Sequence, residues 1–439
     1  MAVTEGASHR QRSIDDHPLI RAVPEVPVDL AAKALERGWP EGLLERAVEL
    51  RVQRSDIELW LRNPRSSPQE IAGQLGVLAQ LFDGALRVRE ATWRDGEALA
   101  DLYANAAESV GDWRLVVERG PNPFAQFRLQ EHPNLQVVEC RGVFLAAAAH
   151  ACRNSLVAGE RIALHFMSAW RVREEFRGYG LSRVLQSAAG PGTAWFGPVT
   201  YWYERIGNAS QGWLDKMRTA AESRDNKVDG LSASVHLFPP DDRGAPVAQS
   251  RWRIRPARPD DLPRCIELVN ATHGDLDLFR PYTLDFLESR LDDPSWGPKP
   301  AFIPRVYGWD DYRVLEDDHG TIVACGGLWD RGRDVREVWS NATTGEQRTV
   351  TASALLDWGY ARGQADTMAD LIRHFLARTA QLDRNQMLAP LEYAPDVLEA
   401  LADLRPSTET RALRCMGFND ETLRVEVHPT RPYTDLAYW

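Results

Sequence analysis

The residues best able to do chemistry lie in one short run, Arg171-Val172-Arg173-Glu174-Glu175-Phe176-Arg177-Gly178-Tyr179-Gly180-Leu181-Ser182. A strand-like stretch, RIALHFMSAWRV, ends in it, the chain turns through two glycines, and a helical pattern, LSRVLQSA, starts at once. Glycine lets backbone amides come close to a ligand. The first amides of a helix have no partner inside the helix, and the helix dipole adds positive character there. Together they suit an anion such as pyrophosphate. Two other nucleotide loops fit less well. A P-loop ends in Gly-Lys-Ser/Thr, whereas Gly180 is followed by Leu181. The dinucleotide fingerprint needs a third glycine where Arg183 stands, and it belongs to a first strand–helix turn, while four strands precede this one.

The elements that must position this bend form a recognisable order. Residues 1 to about 13 are polar, and residues 28–82 read as helices, with Asp29 as a candidate cap and Ser67-Pro68 opening a further helix. From Leu86 the rhythm becomes mixed. LRVREAT alternates as a strand, and WRDGEALADLYANAAE is amphipathic. The strands NLQVVEC and VFLAAAAHACR follow, joined at Arg141-Gly142, then the long strand and the bend. PVTYWYERI, the helix ASQGWLDKMRTAAE and the strand LSASVHLF close the unit, and PPDDRGAPVAQS is a linker. The order then repeats. IRPARPDDLPRC echoes VREATWRDGEAL, VLEDDHGTIVAC echoes VVECRGVFLAA, and TVTASALLDWGYARGQA leads into the helix TMADLIRHFLART and the strand NQMLAPLEY, with ALRCMGF last. The expected fold class is α+β in α/β/α layers, with mixed central sheets in two tandem domains. The expected segments are a polar start and small helical domain (1–84), a first α+β domain (85–240), a linker (241–251) and a second α+β domain (252–439).

The stretch V-R-E-E-F-R-G-Y-G-L-S resembles the acyl-CoA pyrophosphate loop of the GNAT superfamily of N-acyltransferases, whose core is Gln/Arg-x-x-Gly-x-Gly/Ala. Arg177, Gly180 and Ser182 take its three named positions, Ser182 replacing Gly/Ala with another small residue. The resemblance implies that amides of Gly178, Tyr179, Gly180, Leu181 and Ser182 hold the pyrophosphate. It also implies that backbone near Arg171-Val172 pairs with the pantetheine arm, and that Asn208, which as a residue can equally be a helix cap, stands near the family's cofactor-contacting asparagine. The cosubstrate would be acetyl-CoA or another acyl-CoA, with no metal, and the acceptor a small-molecule amine. The tyrosine that the family commonly uses as general acid is Leu214 here. In the second half, Arg362-Gly363-Gln364-Ala365-Asp366-Thr367 stands at the loop position with one glycine gone and an aspartate gained, whose charge repels pyrophosphate. One working and one degenerate half resembles the arrangement in mycothiol synthase, and the second half would then shape the acceptor pocket or a homodimer contact.

Attack of an amine on a thioester needs a neutral amine, donors for the oxyanion and a proton for the leaving thiolate. Candidates are His165 on the long strand, Glu174 or Glu175 at its end, and Tyr201, Tyr203 and Glu204 on the next, with alternation placing both tyrosines on one face and Glu204 on the other. His165, Glu175 and Tyr203 are the residues singled out for catalysis. His165 heads them because an ordinary imidazole titrates near neutrality, although a histidine among apolar neighbours is more often structural.

The bulk properties bound the alternatives. A chain of 439 residues with a formal charge of −11 disfavours nucleic-acid binding. ERAVELRVQRSDIELWLRNP has a helix-turn-helix cadence, but its second helix offers Asp56 and Glu58 rather than base-reading side chains. The five cysteines form no CxxC pair, which argues against disulfides and zinc. No apolar run is long enough for a membrane span and no apolar leader is evident, so the expected location is cytoplasmic. A non-catalytic acyl-CoA-binding sensor is the alternative from another functional class.

Overall fold

The computed structural model describes residues 25–49, 54–62, 67–69, 71–72, 75, 87–120, 122–157, 159–177, 181–182, 185, 199–205, 228–240, 252–292, 305–417 and 431–439. Gly178–Gly180, Asn208 and the helix expected over 209–222 lie outside these residues. The strands are β1 (Arg87–Glu90), β2 (Glu108–Val110), β3 (Trp113–Arg119), β4 (Asn134–Cys140), β5 (Val143–Val157), β6 (Glu160–Val172), β7 (Val199–Arg205), β8 (Val228–Phe238), β9 (Arg253–Pro256), β10 (Tyr312–Glu316), β11 (Ile322–Trp329), β12 (Val335–Asn341), β13 (Gln347–Tyr360), β14 (Gln386–Ala389) and β15 (Ser407–Gly417). The helices are α1 (Val28–Glu36), α2 (Leu43–Glu49), α3 (Arg54–Arg62), α4 (Gly96–Ala104), α5 (Ala125–Arg128), α6 (Leu262–His273), α7 (Leu284–Leu291), α8 (Ala365–Gln381) and α9 (Pro395–Ala400).

The chain packs as two compact units built from interleaved stretches. One comprises 1–106, 136–148 and 170–190, the other 107–135, 149–169 and 191–439. In the first, α1 to α3 bury Leu30, Ala34, Leu44, Ala47, Ile57 and Leu61 in one small core. Asp29 is not the cap of α1, which begins a residue earlier behind Pro27; it sits in the first turn and pairs with Lys33. β1 lies antiparallel to β4, from Arg87↔Glu139 to Glu90↔Gln136.

The internal repeat is written into an ionic clamp. Arg89 of β1 donates through Nε to Glu139 (2.7 Å) and through both Nη atoms to Asp95 (2.8 Å each), which also accepts from the Thr92 amide. In the second unit Arg255 of β9 donates through Nε to Glu316 (2.7 Å) and through both Nη atoms to Asp261 (2.6 and 2.9 Å), which accepts from the Arg258 amide. Arginine, an aspartate six residues on and a glutamate on the neighbouring strand recur in both. Bidentate guanidinium–carboxylate pairs of this kind fix orientation as well as adding energy. Here the clamp ties a strand to the helical turn that follows it.

In the second unit the strand order is β6-β7-β15-β8-β14-β13-β11-β10-β9. β15, the last strand of the second half, enters between β7 and β8, pairing antiparallel with both, while β8, the last strand of the first half, meets β14 on its other edge. The two halves therefore trade their closing strands. The trade leaves neither β7 nor β14 with a bare edge of unpaired amides. A branch of β12 joins β13 to β3, which β2 extends. β2, β3, β12, α7 and α9 were not anticipated from the sequence, and the strand expected through Tyr393 stops at Ala389, since the next residue, Pro390, cannot donate to a ladder.

Helix α6 lies directly on β13. A Cβ added at Gly359 would stand 2.5 Å from the Val269 amide nitrogen and 2.6 Å from the Leu268 carbonyl carbon, both backbone atoms that cannot swing aside. Gly359→Ala is therefore expected to destabilise the fold by about 1–3 kcal/mol, the usual range for forced overpacking. A denaturant midpoint unchanged from wild type would show that α6 does not rest on this strand.

Candidate functional site

β6 and β7 run parallel for three rungs only, Leu164↔Val199, His165↔Thr200 and Phe166↔Tyr201. Among the described residues the ladder stops there, although β6 continues to Val172 and β7 to Arg205. Ala169 of β6 adopts a left-handed backbone (φ 52°) three residues before the strand ends, a conformation that costs a non-glycine residue about 1–2 kcal/mol. The second half also has a short parallel ladder and a left-handed residue, although there β14 itself ends at Ala389. β13 pairs parallel with β14 over Ala352↔Gln386 to Ala354↔Leu388, and Asp357 is left-handed (φ 52°) three residues before Tyr360. In each half the ladder ends six residues short of the strand's end, at Phe166 against Val172 and at Ala354 against Tyr360.

Beyond β6 the chain enters the bend that the sequence singles out. Arg171 donates to the Trp170 carbonyl (2.8 Å), and its guanidinium lies 6.0 Å from the Tyr103 ring centre. Arg173 is buried; its amide donates to Leu145 (2.9 Å), its Nε to the Phe144 carbonyl (3.1 Å), and its guanidinium pairs with Asp101. A 3-10 turn, Glu174–Phe176, follows, with the Glu174 amide donating to the Asn105 carbonyl (3.1 Å). Val172 packs half-buried on a core where Phe176, Leu181 and Leu185 meet Val138, Leu145 and Ala148. Apolar anchors on both sides of the glycines thus pin the ends of the bend. Arg177 and Glu175 are exposed, Ser182 is half-buried, and Leu181-Ser182 is already helical.

The corresponding segment of the second half lies wholly within the described residues. Residues 361–364 join β13 to α8. Gly363 is left-handed (φ 77°), and the Gln364 carbonyl is taken by both the amide and the hydroxyl of Thr367 (3.1 and 2.7 Å). Asp366 lies in the first turn, where its charge opposes an incoming phosphate.

Strand alternation divides the proton-handling candidates. His165 shares a face with Thr200; its Nδ1 is 3.1 Å from the Thr200 hydroxyl and its Nε2 is 3.0 Å from His150 Nδ1, the rings stacked at 5.1 Å. Tyr203 sits on the opposite face with Phe166 and Tyr201. The structure therefore does not bring His165 and Tyr203 together. His165 is 1 % exposed, and burial, with His150 beside it, brings its pKa down to about 3. Burial brings His150 to about 4. An imidazole held this far below neutrality is a weak base, so the pKa argument that put His165 first fails on its surroundings. His150 was not singled out from the sequence, where an alanine-rich strand around it reads as core.

On the other face, aromatic rings close around the end of the ladder. Phe166 lies 4.9 Å from Tyr201, 6.0 Å from Tyr203 and 5.0 Å from Tyr438, and Tyr203 is 5.3 Å from Trp439. Residues 431–439 hold this cluster through bonds of Gln126 and Gln130 to the carbonyls of Trp439 and Ala437 (2.9 Å each) and of Tyr438 to the Glu131 amide (2.9 Å). Along the same face β7 ends at Arg205, the rung partner of Arg411 on β15. Arg205 and Arg331 both bond Glu337 (2.8 and 3.1 Å), while Arg411 bonds Glu409 (2.9 Å) and lies 4.1 Å from the Trp439 ring centre. Burial and the charge of Arg205 bring Arg411 down to about 10 in spite of Glu409. Burial would raise Glu337, but Arg205, Arg331 and Arg411 outweigh it and hold the carboxyl far below its usual range. None of this second-half contribution was visible locally, because β15 and residues 431–439 reach β7 only through the strand trade.

No protein-family model and no curated protein sequence matches this chain. Solved structures similar in shape include N-myristoyltransferase from Saccharomyces cerevisiae with bound myristoyl-CoA, at 10% identity and TM-score 0.49, covering 76% of this chain and 80% of that one. Another is a GCN5-related N-acetyltransferase from Sphaerobacter thermophilus, at 14% identity and TM-score 0.43, covering 81% of this chain and 98% of that one. At such values these are broad likenesses of shape, and no residue role passes from them to this chain. The α+β tandem expected from the sequence stands on the repeated clamp, the repeated short ladder and the repeated left-handed residue. Among the described residues no group of three or more His, Cys, Asp or Glu could hold a metal ion, and no helix is long and apolar enough to cross a membrane.

The depressed imidazoles make a pH prediction. Unfolded, each takes a proton below about pH 6.5; folded, His150 and His165 stay neutral to about 4 and 3. Their contribution is fully present above pH 6.5 and falls as pH drops from there, by about 1.4 kcal/mol per unit for each ring. Replacing both (His150→Gln with His165→Gln) should flatten the unfolding free energy between pH 6.5 and 4.5, leaving the smaller slope of His273, which burial holds near 4. An undiminished slope would mean that the pair does not titrate this way.

Proposed function

We propose that this chain is an acyl-CoA-dependent N-acyltransferase that passes an acyl group, acetyl or longer, directly from the thioester to a small-molecule amine. The observation that carries the reading is the parting of β6 and β7 after Phe166–Tyr201, followed along β6 by a glycine-bearing bend whose flanks Phe176 and Leu181 are buried. In this reading the amides of Gly178 to Ser182 hold the pyrophosphate, with Arg177 beside them. Backbone at Arg171-Val172 takes the pantetheine arm. Asn208 is a further candidate for cofactor contact.

The amine nitrogen attacks the thioester carbon, the C–N bond forms, the C–S bond breaks, and the thiolate leaves and takes up a proton. Tyr203, on the aromatic face with Trp439, is the acceptor-side candidate, and Glu175 is the exposed carboxylate next to the bend. His165 acts through packing rather than proton transfer. The short, aspartate-bearing segment of the second half binds no acyl-CoA. That half instead builds the acceptor wall with β15 and residues 431–439, which set Arg411 and Trp439 beside Tyr203 and Arg205.

Acyl-CoA esters, screened from acetyl upward, should raise the thermal midpoint, corresponding to about 2.7 kcal/mol at a hundred times Kd. Amines should then release free thiol. Gly180→Asp should melt like wild type alone yet gain nothing from any ester. Ester stabilisation of this variant equal to wild type would remove the assigned site, and stabilisation of wild type without thiol release from any amine would leave a sensor.

A further inference from the structure

Helix α1 carries apolar side chains on two faces. Leu30 and Ala34 turn into the small helical core, whereas Val28 and Leu35 are 86 % and 80 % exposed. Ala31 and Ala32, between them, are exposed as well. At about 3.6 residues per turn, Val28, Ala31, Ala32 and Leu35 fall within one stripe about 100° wide. Leu284 is the one other large hydrophobic residue exposed among the described residues, so Val28 and Leu35 are a concentration rather than the ordinary scatter of surface apolar groups. A helix with a second apolar face is built to lie between two neighbours, and its own chain provides one of them.

The charges beside the stripe favour a second copy of the same helix. Asp29, Lys33 and Glu36 run along one of its edges, negative, positive and negative, with Asp29 and Lys33 3.6 Å apart. Laid side by side in the same direction, two such helices would oppose like charges at all of these positions. Laid antiparallel about a two-fold axis near Ala31 and Ala32, each sets Val28 against Leu35 of the other and Lys33 beside the other's Asp29. Glu36 then meets the start of the opposite helix, where Pro27 offers no capping side chain and the positive end of the helix dipole favours a carboxylate. The two alanines at the crossing let the backbones come close.

We propose that α1 is a self-association surface, through which two copies of this chain dimerise by packing Val28, Ala31, Ala32 and Leu35 antiparallel. The contact is isologous, so it closes at two copies and leaves no face for further growth. It lies in the helical segment rather than in the second half, where the sequence suggested a homodimer contact, and it does not depend on the acyl-transfer reading. A stripe on a nine-residue helix is smaller than the about 800 Å² per partner of a standard interface, which places this dimer among the weak, transient ones.

Sedimentation velocity of the full-length protein from about 1 μM to 1 mM, a span that covers transient affinities, should show monomer passing to dimer and no larger species. Leu35→Glu should stay monomeric throughout and melt at the wild-type temperature, since the side chain it replaces is exposed. Lys33→Asp should weaken the dimer, and adding Asp29→Lys should restore it, because exchanging the two charges keeps opposite signs facing each other only in the antiparallel order. A wild type monomeric at every concentration, or Leu35→Glu dimerising as wild type does, would overturn the proposal. So would a lowered melting temperature of Leu35→Glu, which would show the stripe covered by the chain itself, and so would a double variant that dimerises no better than Lys33→Asp.

Discussion

A parallel ladder three rungs long is the constraint on which the rest depends. Parallel strands bond each other evenly along their length, so two neighbours as long as β6 and β7 would ordinarily stay paired. Ala169 takes a left-handed backbone near the end of β6, while β15 stays paired with β7 through Arg205. The free energy of that unfavourable conformation is offset by the surrounding packing, and strain of this sort collects where a fold does chemistry. The same device in β13, at Asp357, is tied down differently. Its carboxylate faces Arg290 (3.3 Å) and accepts from the Tyr282 hydroxyl (2.7 Å), and its carbonyl accepts from Tyr312 (2.9 Å).

The strand trade gives the second half a function it could not have as an appended copy. Because β15 lies between β7 and β8, every residue on its face is a cross-strand neighbour of the first half. Arg411 meets Arg205, Leu413 meets Tyr203, and residues 431–439 close over the aromatic cluster. The two like charges at Arg205 and Arg411 are tolerated only because Glu337 and Glu409 accompany them. The closing strand of the second half is indispensable to the sheet, since it pairs with β7 on one edge and β8 on the other.

The sequence made some of this readable and hid the rest for identifiable reasons. NLQVVEC ends where β4 ends, because alternation and the Arg141-Gly142 turn are both local signals; Arg141 and Gly142 take the left-handed backbone that such a turn requires. The repeat of VREATWRDGEAL and IRPARPDDLPRC is the ionic clamp itself, with Arg89 and Asp95 matched by Arg255 and Asp261. The left-handed backbone at Ala169 was illegible, since alanine gives no hint of a positive φ. The face on which His165 lies follows from strand parity, but its depressed pKa depends on His150, a contact made only when β5 and β6 pair. β3 and β12 gain stability from each other over seven rungs, Trp113 to Arg119 against Asn341 to Val335, and such long-range pairing leaves no local pattern.

The claim that the glycine-bearing segment takes an acyl-CoA ester is tested most directly by an amide hydrogen-exchange footprint. Exchange of the full-length protein would be followed with and without a saturating acyl-CoA ester. The account predicts slowed exchange in residues 171–182 and no change in residues 361–367. Slowed exchange confined to 361–367, or none in 171–182 at saturation, would contradict it.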